Sequence, residues 1–209
     1  MVEIGTTGVP EISADWYQDI VDVAADSPQP VQWFAAHFTE GAILLLGALL
    51  LVAALVRLRG GPRDRAFALV SPVPVVLAYA CSEWLKTVVD EDRPCRAATR
   101  AIIAGTCPPH GDWSFPSNHS TIAGALAVAT LLLSRRLGLV ALPLAALAAF
   151  SRTFVGVHYP HDVAAGVLLG AVVVLVLLPA LARPAAEVLR RRSGADRPVP
   201  DTLAGPTRR

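Results

Sequence analysis

The chain has 209 residues, 54% of them hydrophobic and only 17% charged. That balance is too apolar for a water-soluble domain of this length and excludes one. The formal net charge of +1 gives no argument for a nucleic-acid partner, and it conceals a marked asymmetry along the chain.

In chain order, residues 1–40 form an acidic segment without a span. Ile12 to Ala25 holds Asp15, Asp19 and Asp22, too many charges for lipid. This stretch reads as a short amphipathic helix with Trp16 and Tyr17 at the membrane interface. It has neither a basic start nor an apolar core, so it does not read as a cleavable signal peptide. A helix is expected to begin near Pro30 and run into a first span, Gly41 to Leu58. Gly60-Gly61-Pro62 makes a turn. A second span, Ala66 to Val89, is interrupted by Glu83 and Lys86, and Pro72 and Pro74 predict a kink in it. A long polar stretch, Asp90 to Asn118, follows. Third and fourth spans, Ser120 to Leu133 and Leu137 to Phe150, are 14 residues each. They cross a hydrocarbon core about 30 Å thick only if their ends extend into the polar residues beside them. The fifth, Val163 to Ala182, is uncharged, and Gly166 and Gly170 within it either allow another helix to approach closely or are a chance pair in a Gly-containing span. Beyond residue 183 a basic, Pro-rich tail is expected to be disordered past a turn or two of helix around Ala185 to Arg192. The expected fold is all-α: an integral membrane bundle of about five transmembrane helices plus an N-terminal interfacial helix. It divides into a segment 1–40, a core 41–183 and a tail 184–209.

Charge orients the bundle. Residues 1–56 hold no Lys or Arg and seven acids, whereas 13 of the 18 basic residues fall on the opposite side of a five-span arrangement. Basic loops stay in the cytoplasm. The expectation is a bacterial cytoplasmic membrane protein, since the strong bias to Arg over Lys resembles a high-GC bacterial proteome, with the N-terminus outside and the C-terminus inside. Lys86, Arg93, Arg96, Arg100 and Arg152 then lie outside, against the rule, and chemistry is the proposed reason.

Three short segments gather at that outer side. They are Lys86 to Pro94, Pro116-Ser117-Asn118-His119, and Ser151-Arg152 with His158 and Asp162. Lys86, Arg93 and Arg152 are three cations suited to a phosphate, because Arg forks match its oxygens and Lys adds a point charge. Pro116-Ser117-Asn118 reads as a helix start whose free N–H groups point at an anion. His158 and Asp162 stand one helical turn apart, so the carboxylate can hold one imidazole nitrogen and leave the other free to attack phosphorus. His119 supplies a second imidazole as acid for a leaving oxygen.

These segments resemble the three-part signature of the type-2 phosphatidic acid phosphatase superfamily: K-x6-R-P, P-S-x-H and S-R-x5-H-x3-D. The resemblance covers roughly residues 65 to 183. It implies a lipid phosphatase that uses no metal or other cofactor and acts at the outer face. By it, His158 is the nucleophile, Asp162 orients it, and His119 protonates the leaving oxygen and then activates water. Lys86, Arg93, Ser117, Asn118 and Arg152 hold the phosphoryl oxygens. Asn118 departs from the family's usual Gly, which predicts altered substrate fit. The span count departs from the six of many relatives. The soluble vanadium haloperoxidases share the nest but not the apolar composition.

The favoured substrate is undecaprenyl or another polyprenyl diphosphate, with phosphatidate or phosphatidylglycerophosphate as the alternative. A lipid phosphotransferase would use the same residues, and a non-catalytic lipid-binding scaffold is the reading from another class. Membrane lipids and the lipid phosphate are the expected partners. Glu83 stands as either a partner for Lys86 or a packing contact. His161 and His110 read as exposed loop residues, and His37 as interfacial. Trp113 and Phe115 either line a lipid entry or anchor the loop. Cys81 reads as a small apolar residue within the second span. Cys95 and Cys107 share the outer loop, where a disulfide is permitted; the bridge is the favoured state and two free thiols the alternative.

Overall fold

A computed structural model describes residues 9–98 and 100–192. Among them the elements are helical: α1 (Glu11–Asp26), α2 (Gln29–Arg57), α3 (Pro62–Val70), α4 (Pro72–Val89), a 3-10 turn (Pro94–Arg96), α5 (Asn118–Leu133), α6 (Arg135–Phe154) and α7 (Pro160–Arg192). Four stretches are long and apolar enough to cross a membrane: α2, α3 with α4 (Pro62–Val89), α6 and α7. The third expected span is α5, which is apolar but shorter, at 16 residues. At 1.5 Å per residue it reaches only about 24 Å. It is the core of the bundle, with Ala123, Gly124, Ala125, Ala127 and Ala129 all enclosed. The all-α membrane bundle read from the sequence is therefore what the structure has, with one short helix wrapped by the others.

Small residues explain how α5 is enclosed. A Cβ added to Gly170 would stand 2.0 Å from the Thr121 carbonyl oxygen, and one on Gly166 would stand 2.5 Å from that of Ser117. From the other side, a Cβ on Gly124 would meet the Val167 carbonyl at 2.6 Å. So α5 and α7 touch backbone to backbone, the arrangement that small residues permit where lipid supplies no hydrophobic drive. The Gly pair noted in the sequence has this physical use.

The second span is one helical run interrupted at Ser71, which keeps right-handed helical angles (φ −58°, ψ −30°). Pro72 cannot donate its backbone nitrogen to the preceding turn, so α3 stops at Val70 and α4 starts one residue after Ser71. Ser71 Oγ donates to the Ala68 carbonyl (2.9 Å). At the far end, Arg57 ties three helices together. It donates to the Leu133 carbonyl at the end of α5 (2.7 Å) and pairs with Asp64 of α3. The last helix is one rod from Pro160 to Arg192; residues 193–209 of the expected disordered tail lie outside the described residues.

The N-terminal helix forms where expected, with one correction. Trp16 is 56% exposed, as an interfacial ring would be, but Tyr17 is only 1% exposed. Its hydroxyl donates to the Gly156 carbonyl (2.9 Å) and its ring meets Tyr159 edge-on at 5.4 Å. Tyr17 faces inward because a buried phenol needs a hydrogen-bond acceptor, and the turn between α6 and α7 offers one. Helix α1 is docked on protein.

The α5–α7 contact predicts a graded result. Gly170→Ala should destabilise the detergent-solubilised protein by about 1–3 kcal/mol through overpacking. Gly47→Ala, where an added Cβ meets nothing within 4 Å, should be neutral or slightly stabilising. Thermal melting of the two variants beside the parent checks this.

Candidate active site

Each functional side chain is placed by a helix end. The last turn of α4 carries Lys86, and Asp90 ends that helix in the left-handed region (φ 43°), which turns the chain toward Arg93. Ser117 caps α5, its Oγ accepting from the Ser120 N–H (3.4 Å). Asn118 and His119 follow in the first turn. The last turn of α6 carries Arg152. Gly156 (φ +91°) reverses the chain so that His158 points back into the bundle, and Asp162 lies in the first turn of α7. A further bond locks the two helix starts together: the Ser117 N–H donates to the Asp162 carbonyl (3.1 Å).

His158 and Asp162 are both enclosed. The imidazole Nδ1 lies 3.3 Å from Asp162 Oδ2, and that oxygen also accepts from Ser114 Oγ (2.5 Å) and from the Tyr159 N–H (2.8 Å). On the ring's other side, Nε2 lies 3.1 Å from Arg93 Nη1. Burial pushes the His158 imidazole down to about 4, and the nearby Arg93 charge acts in the same direction against the opposing pull of Asp162. The ring is therefore neutral at neutral pH, with Nδ1–H directed to Asp162 and the Nε2 lone pair accepting from Arg93 Nη1.

A cavity of about 220 Å³ opens beside this nitrogen. Lys86, Arg93, Asn118, His119 and Arg152 line it together with His158. One anion already stands there. Asp112 Oδ1 accepts from Lys86 Nζ (3.0 Å) and from Arg93 Nη2 (2.8 Å), and its main-chain carbonyl accepts from Arg93 Nε (2.8 Å). Burial alone would raise the Asp112 carboxyl, but the Arg93 and Lys86 hydrogen bonds hold it below the usual carboxylate range. Arg152 Nη1 donates to Thr39 Oγ1 (2.7 Å), and His119 Nε2 sits 2.7 Å from Glu40 Oε1. Chemically the arrangement combines an anion cradle, a buried neutral imidazole on its wall, and a second imidazole with its own carboxylate.

Most of the residues singled out from the sequence meet here, and some take other work. Ser117 does not line the cavity. It is fully buried and its hydroxyl is used for capping and for a bond with Ser120 Oγ (3.1 Å). Glu83 accepts from Asn118 Nδ2 rather than pairing with Lys86, and Asn118 Oδ1 accepts from Ser82 Oγ (2.6 Å). The amide that replaces the usual Gly is thus fastened to α4. Cys95 and Cys107 are bridged, with Cα atoms 5.7 Å apart; Cys81 is free and exposed on α4. Arg100 pairs with Asp22 and Asp26, joining the bridged loop to α1. His110 is exposed, and exposed His37 bonds the Trp33 carbonyl (2.8 Å).

His161 corrects the sequence reading. It is half-buried, with Nδ1 2.7 Å from Ser13 Oγ and Nε2 3.1 Å from Glu91 Oε2. Phe115 stacks on its ring at 5.8 Å, which makes Phe115 an anchor of the loop. Sequence reasoning also missed Asp112, Ser114, Thr39 and Glu40. The first two stand just before Pro116-Ser117 and offered a weak signal by proximity. The last two sit on α2, far from any motif.

The description of the PAP2 superfamily matches residues 67–184. The chain belongs to the PAP2 superfamily. The match contains all three polar segments and leaves out α1 and α2. The chain is similar to the decaprenylphosphoryl-5-phosphoribose phosphatase of Mycobacterium tuberculosis (strain H37Rv), 39% identical over 145 residues, covering 66% of this chain and 72% of that one. It is also similar to the undecaprenyl-diphosphatase BcrC of Bacillus subtilis, 33% identical over 153 residues and 73% of each chain. Among solved structures, Aquifex aeolicus LpxE shares the fold with a TM-score of 0.57 at 23% identity, over 79% of this chain and 93% of that one. This PAP2 protein is a membrane lipid phosphatase.

Burial of His158 predicts a pH effect on stability. The unfolded chain protonates this group below about 6.5, whereas the folded chain resists until about 4. The unfolded state therefore binds more protons in that window, and stability falls as pH falls through it, by about 2 kcal/mol at pH 5. His158→Gln should lose that component. Melting temperatures of both proteins between pH 7 and pH 5 check the difference.

Proposed function

We propose that this PAP2 phosphatase hydrolyses a polyprenyl diphosphate at the outer membrane face through a phosphohistidine on His158. The observation that carries the reading is the neutral, buried His158. It is held on Nδ1 by Asp162, and its Nε2 is turned to Arg93 at the wall of the cation-lined cavity.

In this reading the terminal phosphoryl group enters among Lys86, Arg93 and Arg152, and its oxygens take over the cations that Asp112 holds in the resting site. Nε2 attacks phosphorus, and the bond to the lipid-side oxygen breaks with its electron pair. His119 delivers a proton to that oxygen. A water molecule, deprotonated by the same imidazole, then attacks phosphorus, the P–N bond breaks, and inorganic phosphate leaves. The fixed cations stabilise charge on the phosphoryl oxygens in both steps. Asn118, tied to Ser82 and Glu83, puts a side chain on the cavity wall where the family's usual Gly has none.

Two relatives named for polyprenyl-linked phosphates support the substrate class. The relative named for decaprenylphosphoryl-5-phosphoribose supports a second reading, a phosphomonoester on a polyprenyl-linked sugar. The outward orientation rests on the 13-to-5 division of basic residues.

The test is phosphate release by detergent-purified protein from a panel of lipid phosphates with EDTA present. Polyprenyl diphosphate should turn over fastest, ahead of the polyprenyl-linked sugar phosphate and phosphatidate. His119→Ala should cost about 10²- to 10⁴-fold in rate, as loss of a general acid does, and His158→Ala should abolish turnover. Asp162→Asn should cost less than His158→Ala. Strict Mg²⁺ dependence, or more than a few per cent of activity in His158→Ala, would contradict the mechanism.

A further inference from the structure

Asp162 uses only one of its oxygens on the nucleophile. Oδ2 faces His158, Ser114 and the Tyr159 N–H. Oδ1 is fully enclosed and accepts no hydrogen bond, yet it lies 3.2 Å from His161 Nε2. Glu91 Oε1 is likewise buried without a partner. His161 thus stands between the enclosed Asp162 carboxylate and the half-buried Glu91 carboxylate, with ligating atoms of all three residues within 4.8 Å of one another.

The ring is held from every side. It stacks on Phe115 (5.8 Å) and Tyr159 (5.5 Å). Ser13 Oγ meets Nδ1 at 2.7 Å and accepts the His161 backbone N–H at 3.3 Å. Ser13 belongs to α1, outside the region that the PAP2 family matches. The Glu91 carbonyl accepts the Ser114 N–H (2.8 Å), so the residue opposite His161 also seats the serine on Asp162 Oδ2.

We propose that His161 is a positioning residue for the nucleophile: an imidazolium between Glu91 and Asp162 that keeps Asp162 ionised with Oδ2 on His158, and that α1 fixes through Ser13. The proposal rests on the assignment of His158 made above. Two carboxylates this close cannot both stay ionised out of water without a cation between them. Burial already pushes the Glu91 carboxyl up, and the Asp162 charge adds to it against the pull of His161. Without His161 one proton is shared between Glu91 and Asp162, and a protonated Asp162 no longer selects the His158 tautomer that leaves Nε2 free. The ionisable groups facing this cluster are Glu91 and Asp92 from the loop after α4, His158 and Tyr159 from the turn before α7, and Tyr17 from α1.

The experiment is the pH–rate profile of the full-length enzyme in detergent, with kcat and KM separated. His161→Ala should lower kcat about 10- to 100-fold, as loss of an outer-shell partner of a functional imidazole does, leave KM within about threefold, and move the acid limb to higher pH. His161→Gln keeps a donor and should recover part of the loss. The second rescue is the sharper one. Glu91→Gln in the His161→Ala background removes the competing carboxylate and offers an amide to Asp162, so kcat should rise and the limb move back toward the parent. If His161→Ala does not accumulate, Ser13→Ala should show the same shift of the limb on a smaller scale. Parental kcat and limb in His161→Ala, no rescue by Glu91→Gln, or a Ser13→Ala profile identical to the parent's would each overturn the proposal. His158→Ala is run beside these. Activity retained there would defeat the phosphohistidine reading itself, whereas an inactive His158→Ala beside an unaffected His161→Ala would defeat this proposal alone.

Discussion

The backbone-to-backbone contact between α5 and α7 is the constraint on which the site depends. Gly166 and Gly170 leave no room for a Cβ against the Ser117 and Thr121 carbonyls, so the first turns of the two helices lie side by side. That proximity lets the Ser117 N–H reach the Asp162 carbonyl. It also places His119, one residue into α5, on the same cavity as His158, just before α7. The two imidazoles come from segments about 40 residues apart, yet their separation is set by helix packing, which is stiff. A loop would not hold them this way.

Electrostatics decides what that cavity holds. Lys86 and Arg93 are 5% exposed each, and buried cations need partners. In the resting protein Asp112 supplies one carboxylate for both. It stands just beyond the loop that the Cys95–Cys107 bridge closes, and Arg100 ties that loop to α1. A site that must release phosphate as well as bind it gains from an internal anion able to re-cover two of the cations, since the empty state then leaves neither Lys86 nor Arg93 unpaired. The second carboxylate pair, Glu40 with His119, comes from α2, and the third group, Glu91 with His161 and Asp162, involves α1 through Ser13. The helices outside the matched family region thus supply the outer partners of both histidines.

The sequence carried the fold class, the helix positions and the three segments that meet at the cavity. Their fixed spacings tie a residue's chemistry to a helix end. Lys86, Arg93, Asn118, His119, Arg152, His158 and Asp162 were all legible for that reason. What escaped reading was contact between segments distant in the chain. Nothing in Ser13 or Tyr17 announces that α1 turns inward, because an amphipathic helix with aromatic residues reads the same whether it lies on lipid or on protein. Glu40 looks like a span-end acid until α2 is placed against α5. His161 looked like a loop residue because a histidine beside a motif has no signature of its own; its partners lie 70 and 148 positions away. Ser117 carries work the motif did not announce: its hydroxyl oxygen caps α5 by accepting from the Ser120 N–H.

In the proposed mechanism His158 becomes covalently phosphorylated. Rapid acid-free quench of the enzyme with substrate labelled in its terminal phosphate, followed by proteolysis and mass spectrometry, tests it most directly. An acid-labile, alkali-stable phosphoryl group is expected on the peptide carrying His158. It should form within a single turnover, accumulate further in His119→Ala if water activation slows more than formation, and be absent from His158→Ala. A phosphoryl group on any other residue, or single-turnover release of phosphate with no labelled protein at any time point, would contradict it.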